Sequence, residues 1–465
     1  MLTLRRTFRG LHPIARVLLV LATLLAAGYV ARLSMYMFDE SRTSYSVLDR
    51  EFFRNHSCLS SYTEAARLAP SGANIFDPAV YSQVSPQGTL GSRYIGTFEV
   101  DLYQYPPTFL VLPAAAGKAG LDFFAVRRVW FVIQMAVLLG GLIVTATWIG
   151  GPRGAVAAIF IPLIFLAPTT RVALQAGNFQ LTAFPLAMIA MVAFFSRGGR
   201  TAPTLVGGAA LGFCAVSKIF PGVLGIVLLM HRQWKAAAAT AAAAVVIVAL
   251  ALLAVGTKPF VDFVSYQLPR IDSGQAFFWI ENADMAPVNQ SVYGLVTKLR
   301  ALGVPGTTAA AANLASSIYA VLLMVVAVIG AKRIQRLAGT STDASLIRLR
   351  QAQLWLGLLS LASFRSPFVP DAYGLVGTLW LLTLIAAERP RLYEWSALIA
   401  AGAAFSIVLD GGLVPTPVPV WMTLTSLAIQ LAAYGVNFFV VLAPDRKEVA
   451  SPDTALRSQP GAAIA

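Results

Sequence analysis

The chain has 465 residues, 57% of them hydrophobic and 12% charged, with a formal net charge of +14 and a mean hydropathy of +0.70. Soluble domains carry about 25% charged residues, so a soluble globular chain is excluded, and with it a division into several soluble domains. Nucleic acid is not the partner that the basic charge implies, because the Lys and Arg fall in short loops between apolar runs, where the positive-inside rule puts them.

Taken in chain order, Arg5, Arg6, Arg9 and Arg16 come first and should stay in the cytoplasm. The apolar run Arg16–Ser34 is long enough to remain as an anchor and has no A-x-A cleavage site. It delivers a polar segment, 35–104, whose eight acids and five bases give a net of −3. This is read as a large first extracytoplasmic loop. Tyr105-Pro106-Pro107-Thr108-Phe109 then opens an apolar run to Gly117 that is too short to cross, and reads as a re-entrant or interfacial helix with proline in its first turn. Spans are expected at 127–149, 153–170 and 178–196. The stretch 202–231 reads as two short helices broken near Ser217-Lys218-Ile219-Phe220-Pro221, and 236–256 as a further span. A second outside loop covers 257–308. The last spans are placed at 309–331, 352–368, 371–387, 394–410 and 418–442, and the tail 446–465 reads as a disordered cytoplasmic segment.

The fold class implied is all-α, a single polytopic transmembrane helical bundle over 1–445 with about 12 spans. Charge placement supports this parity. If 105–120 does not cross, the basic clusters at Arg153, Arg197 and Arg200, Arg232 and Lys235, Lys332 to Arg350, Arg389 and Arg391, and Arg446 and Lys447 share one side. Both termini are then cytoplasmic, in a bacterial plasma (inner) membrane.

Ionisable residues at membrane depth are costly, so those on the outside face are candidate site residues. They are Arg171, Lys218 and Arg365, with Asn178 and Gln180 at a helix start. Each has a plainer reading: interfacial arginine, snorkelling lysine, helix cap. A hydroxyl-activating step at the membrane edge needs a carboxylate base. Asp39-Glu40 follows the first span, and Glu99-Val100-Asp101 precedes Tyr105; each pair could instead be solvated loop charge. His56 and Cys58 are close, but two ligands do not make a metal site, and no residue is assigned to a metal on spacing.

Tyr105-Pro106-Pro107-Thr108-Phe109 after an acidic first loop resembles the polyprenyl-phosphate-sugar-dependent glycosyltransferases of family 87, in the GT-C class. Tyr62 to Leu68, Gly72 and Ile75-Phe76-Asp77-Pro78 are similar to successive first-loop segments of that family. Ala176 to Gln180 resembles its Gly-Gln-Asn stretch, and Gly208 through Pro221 its Lys-x-x-Pro helix break. The family usually carries Asp where this chain has Cys58, four positions before Tyr62. A thiol with an ordinary pKa near 8.5 is a poor base. Glu99 and Asp101 are the first replacements, and Asp39-Glu40 the second.

The resemblance implies a polyprenyl-phosphate donor carrying mannose or a related sugar, and a lipid or glycan acceptor entering from the outside loops, with membrane lipids around the bundle. Lys218, Arg171 and Arg365 would compensate the leaving phosphate. Tyr105, Asn178 and Gln180 would contact substrate, and Glu99 or Asp101 would take the acceptor's proton. Whether a divalent metal is used stays open, since Glu99-x-Asp101 could hold one through hard oxygen ligands. A transporter with a broken helix at Lys218, or an inactive envelope-synthesis scaffold in which Cys58 marks the lost base, are the rival readings.

Overall fold

In the computed structural model the described residues are 2–40, 55–84, 90–196, 201–281, 285–388 and 419–443. The span expected at 394–410 and the tail 446–465 lie outside them.

α1 (Leu2–Arg9) carries the first arginines and packs with the later helix Gly151–Ile159, and α2 (Pro13–Phe38) starts with Pro13 in its first turn. α3 (Cys58–Leu68) and two small antiparallel hairpins, β1–β2 (Ser82–Val84, Leu90–Ser92) and β3–β4 (Tyr94–Ile95, Phe98–Glu99), lie in the first loop. A 3-10 turn over Pro107–Leu110 leads into α4 (Val111–Lys118), short as the sequence implies. α5 (Phe123–Ile149) is capped by Asp122, whose carboxylate accepts the Ala125 N–H at 2.7 Å.

The span expected at 153–170 is broken instead. α6 (Gly151–Ile159), α7 (Ile161–Leu166) and α8 (Pro168–Ala176) run in series, with a 64° bend before α8. Pro152, Pro162 and Pro168 each remove a backbone donor, and Ala167 before Pro168 is extended, so one straight helix cannot form. α9 (Phe179–Phe195) follows, then α10 (Thr201–Lys218) and α11 (Leu224–Met230). The break between α10 and α11 is where the sequence places it: Ile219 has φ 59°, and Phe220–Val223 form a 3-10 turn. α12 (Trp234–Val255) comes next.

The segment expected as the second outside loop, 257–308, is helical over much of its described length. It holds α13 (Lys258–Asp262), a π-turn over Phe263–Gln267, α14 (Leu268–Asp272) and α15 (Val292–Ala301). Asn289 stitches it to the turn after the next-but-one span, donating from Nδ2 to the Pro367 carbonyl at 2.9 Å and accepting the Val369 N–H at 3.0 Å. α16 (Ala309–Thr340), α17 (Ala344–Ser363), α18 (Asp371–Gly374), α19 (Val376–Glu388) and α20 (Val420–Leu442) complete the bundle.

Among the described residues five helices are long and apolar enough to cross a membrane: α2, α5, α12, α16 and α20. A sixth is reached if the bent run through α8 is one span. Burial sorts them by place. Only 11% of the apolar window of α12 is buried, against 44% for α5, so α12 gives its side chains to lipid. α9, α17 and α19 are enclosed on nearly every side and form the centre. α10 meets α12 through Gly208 and Gly212. A Cβ there would lie 2.7 Å from Ala239 C and 2.8 Å from the Thr240 carbonyl oxygen, and this close approach is what small residues permit between membrane helices.

Candidate functional site

The first loop is pinned before any site residue is placed. Ser60 on α3 accepts the Asp101 N–H at 3.1 Å and donates to the Glu99 carbonyl at 2.9 Å. This fixes the exit of β4 against α3. Asp101 Oδ2 consequently stands 3.1 Å from His56 Nδ1. On the far side of the ring, His56 Nε2 is 3.5 Å from Cys58 Sγ and 3.1 Å from the Tyr373 hydroxyl. Burial alone would lower the proton affinity of His56, but the Asp101 carboxylate and Cys58 beside it outweigh burial and hold it well above the ordinary imidazole value.

Asn178 arrives from the other direction. Gly177, at φ 72°, ends α8 in the left-handed region, and a side chain there would press on Leu59. Trp130 Nε1 donates to the Gly177 carbonyl and Gln134 Nε2 to the Asn178 carbonyl, both at 2.8 Å. Asn178 Oδ1 then caps α9 by accepting the Gln180 N–H at 2.9 Å, while Nδ2 donates to Cys58 Sγ at 3.3 Å and to the Tyr105 hydroxyl at 3.4 Å. Burial pushes the phenols of Tyr62 and Tyr105 up, so both remain protonated. Thr108 donates to the Val216 carbonyl at 2.5 Å, tying the Tyr-Pro-Pro segment to the end of α10. The Lys218 ammonium sits 3.7 Å above the Tyr105 ring centre, a cation–π contact.

These groups line one end of a cavity of about 1330 Å³. Its other wall is apolar and runs past Ile226 on α11 to Leu323 and Met324, well inside the span α16. Of the expected site residues, Asp101, Glu99, Lys218, Tyr105, Asn178, Gln180 and Arg365 all line it. Glu99 is bonded by the Ser92 hydroxyl, and Arg365 pairs with Asp272 at 3.0 Å. Asp39, Glu40 and Arg171 are not among the lining residues. Asp39 follows the last turn of α2, Glu40 pairs with Arg128 at 2.8 Å, and the Arg171 guanidinium covers the Tyr29 ring at 3.8 Å, bracing α8 against α2. His56 and Tyr373 were not expected at the site. The pair His56-x-Cys58 was the visible signal, but its third member lies beyond both hairpins.

The sequence model of glycosyltransferase family 87 matches residues 103–348, more than half of the chain. The chain belongs to glycosyltransferase family 87. Within that match lie Tyr105, Asn178, Gln180 and Lys218 of this family 87 site, while His56, Cys58 and Asp101 precede it. Among solved structures, the chain is similar to ArnT from Cupriavidus metallidurans bound to undecaprenyl phosphate, with a TM-score of 0.39 and 15% identity over 90% of this chain and 76% of that one. Curated protein sequences give no match.

Proposed function

We propose that this family 87 protein moves a mannose-like sugar from a polyprenyl-phosphate donor to a lipid or glycan hydroxyl on the outer side of a bacterial inner membrane. The observation that carries this is the two-ended cavity, polar at Asp101, Lys218 and Gln180 and apolar along α11 and α16. An isoprenoid tail fits the apolar wall, which leaves its phosphate near Lys218. The acceptor oxygen attacks the anomeric carbon and the bond to the phosphate oxygen breaks. Asp101 takes the acceptor's proton, and the lipid phosphate leaves toward Lys218 with Arg365 at the rim.

Asp101 is preferred to Glu99 because it contacts His56 at the polar end, whereas the Glu99 carboxylate is engaged by Ser92. Gln180 is placed to bind sugar hydroxyls. It is buried, and its Nε2 has no partner among the described residues, a deficit of about 1–3 kcal/mol that a ligand oxygen would relieve. Asn178 Oδ1 keeps a second lone pair for the same use. The acids facing a cavity at membrane depth favour an enzyme over an inactive scaffold. In this reading the chain crosses about 12 times with both termini cytoplasmic.

The test is transfer by purified chain in lipid, from radiolabelled polyprenyl-phosphate-mannose to a membrane lipid extract. Asp101→Asn is expected to lower the rate by about 100-fold or more, as loss of a general base does, and Glu99→Gln by much less. Full activity in both variants would remove Asp101 from the mechanism, and no transfer from any polyprenyl-phosphate sugar would end the reading.

A further inference from the structure

His56, Cys58 and Asp101 differ in chemistry yet converge. One ligand atom from each lies within 4.8 Å of the others on the cavity wall. His56 Nε2 and Cys58 Sγ are 3.5 Å apart. Two such ligands on a tetrahedral zinc, with bonds of about 2.0 and 2.3 Å, are separated by about 3.5 Å. Asp101 on Nδ1 fixes the ring so that Nε2 turns toward the sulfur, the carboxylate–histidine arrangement that orients metal-bound imidazoles. Asn178 Nδ2 donates to Sγ at 3.3 Å and holds the sulfur facing the ring.

We propose that His56, Cys58 and Asp101 form a binding site for a borderline-soft divalent cation, Zn²⁺ in class, on the polar end of the cavity. The thiolate selects it over Mg²⁺ and Ca²⁺, which prefer all-oxygen shells. Nε2 and Sγ supply two ligands while Asp101 orients the imidazole from Nδ1, so the remaining positions of a tetrahedral ion face the cavity. Asp101 accepts the Nδ1–H from the other side of the ring and keeps lone pairs free to face an acceptor hydroxyl. The site stands on the geometry of the three side chains and does not require the transfer reaction.

Co²⁺ titration of the full chain in lipid nanodiscs, stripped with chelator and kept reduced, tests it. Wild type is expected to take up one equivalent with a thiolate-to-cobalt charge-transfer band that Zn²⁺ abolishes. Cys58→Ser loses the band, and His56→Ala weakens uptake by about tenfold or more. Cys58→Asp takes up cobalt without the band, and Cys214→Ser, altered deep in the bundle, keeps it. No saturable uptake in wild type, cobalt bound without a sulfur band, or a band that persists in Cys58→Asp would overturn the site. Because the readout is spectroscopic, an intact band with no sugar transfer counts against the reaction and not against the metal.

Discussion

Lys298 is fully buried in the ten-residue helix α15, where its ammonium donates to the Asn289 carbonyl and, at 2.8 Å, to Gln430 Oε1. Burial brings its pKa down to about 7, with Asp371 partly opposing the fall. An unfolded lysine titrates near 10.4. Between those values the unfolded chain holds more protons than the folded one, so this residue makes stability rise with pH. The melting temperature of wild type is therefore expected to gain on that of Lys298→Met as the pH is raised from 7 toward 10. A constant difference across that range would show that Lys298 keeps an ordinary pKa. At the cavity, residue type was a good guide wherever a costly group had to be explained. Lys218, Asn178 and Gln180 were legible because each is polar beside a helix break or start. Arg171 has the same signature, yet its cost is met by the Tyr29 ring. Sequence spacing does not tell those two fates apart.

At the scale of elements, the long apolar runs read correctly because nothing interrupts them, as in α2, α5, α12, α16 and α20. The run at 153–170 is also apolar, and its two prolines, Pro162 and Pro168, decide its shape. α17 begins at Ala344, earlier than hydropathy suggests, because its polar first turns are answered by neighbours. Arg348 donates to the Trp148 carbonyl at 2.9 Å, and Arg350 pairs with Glu388 at 2.7 Å. The His56–Cys58–Asp101 cluster was out of reach for another reason: Ser60 brings its two parts together, and no local pattern announces that contact. Helix approach gives a direct test. Gly212→Val would drive a side chain into the Thr240 carbonyl of α12, and a loss of about 1–3 kcal/mol is expected in a melting assay. Gly225 on α11 has open space where a Cβ would sit, so Gly225→Ala should be neutral or slightly stabilising. Equal losses in the two variants would mean that the α10–α12 contact is not tight.

For the whole molecule, orientation is written in charge. The basic clusters fall on the cytoplasmic side with the N-terminal arginines only if the Tyr-Pro-Pro segment turns back, and the short α4 that follows it has just eight residues. A reporter that is active only in the cytoplasm, fused to the C-terminus, is expected to be active, and one fused after Lys118 silent. The reverse pattern would invert the bundle and place the polar end of the cavity inside. The apolar wall has a kinetic consequence as well. Met324 lines the cavity from the middle of α16 and is half exposed, so the apolar wall reaches bilayer depth. A polyprenyl-phosphate donor that enters there searches in two dimensions. The rate should follow the mole fraction of donor within the vesicle bilayer and fall when inert lipid dilutes the surface, even at constant bulk concentration.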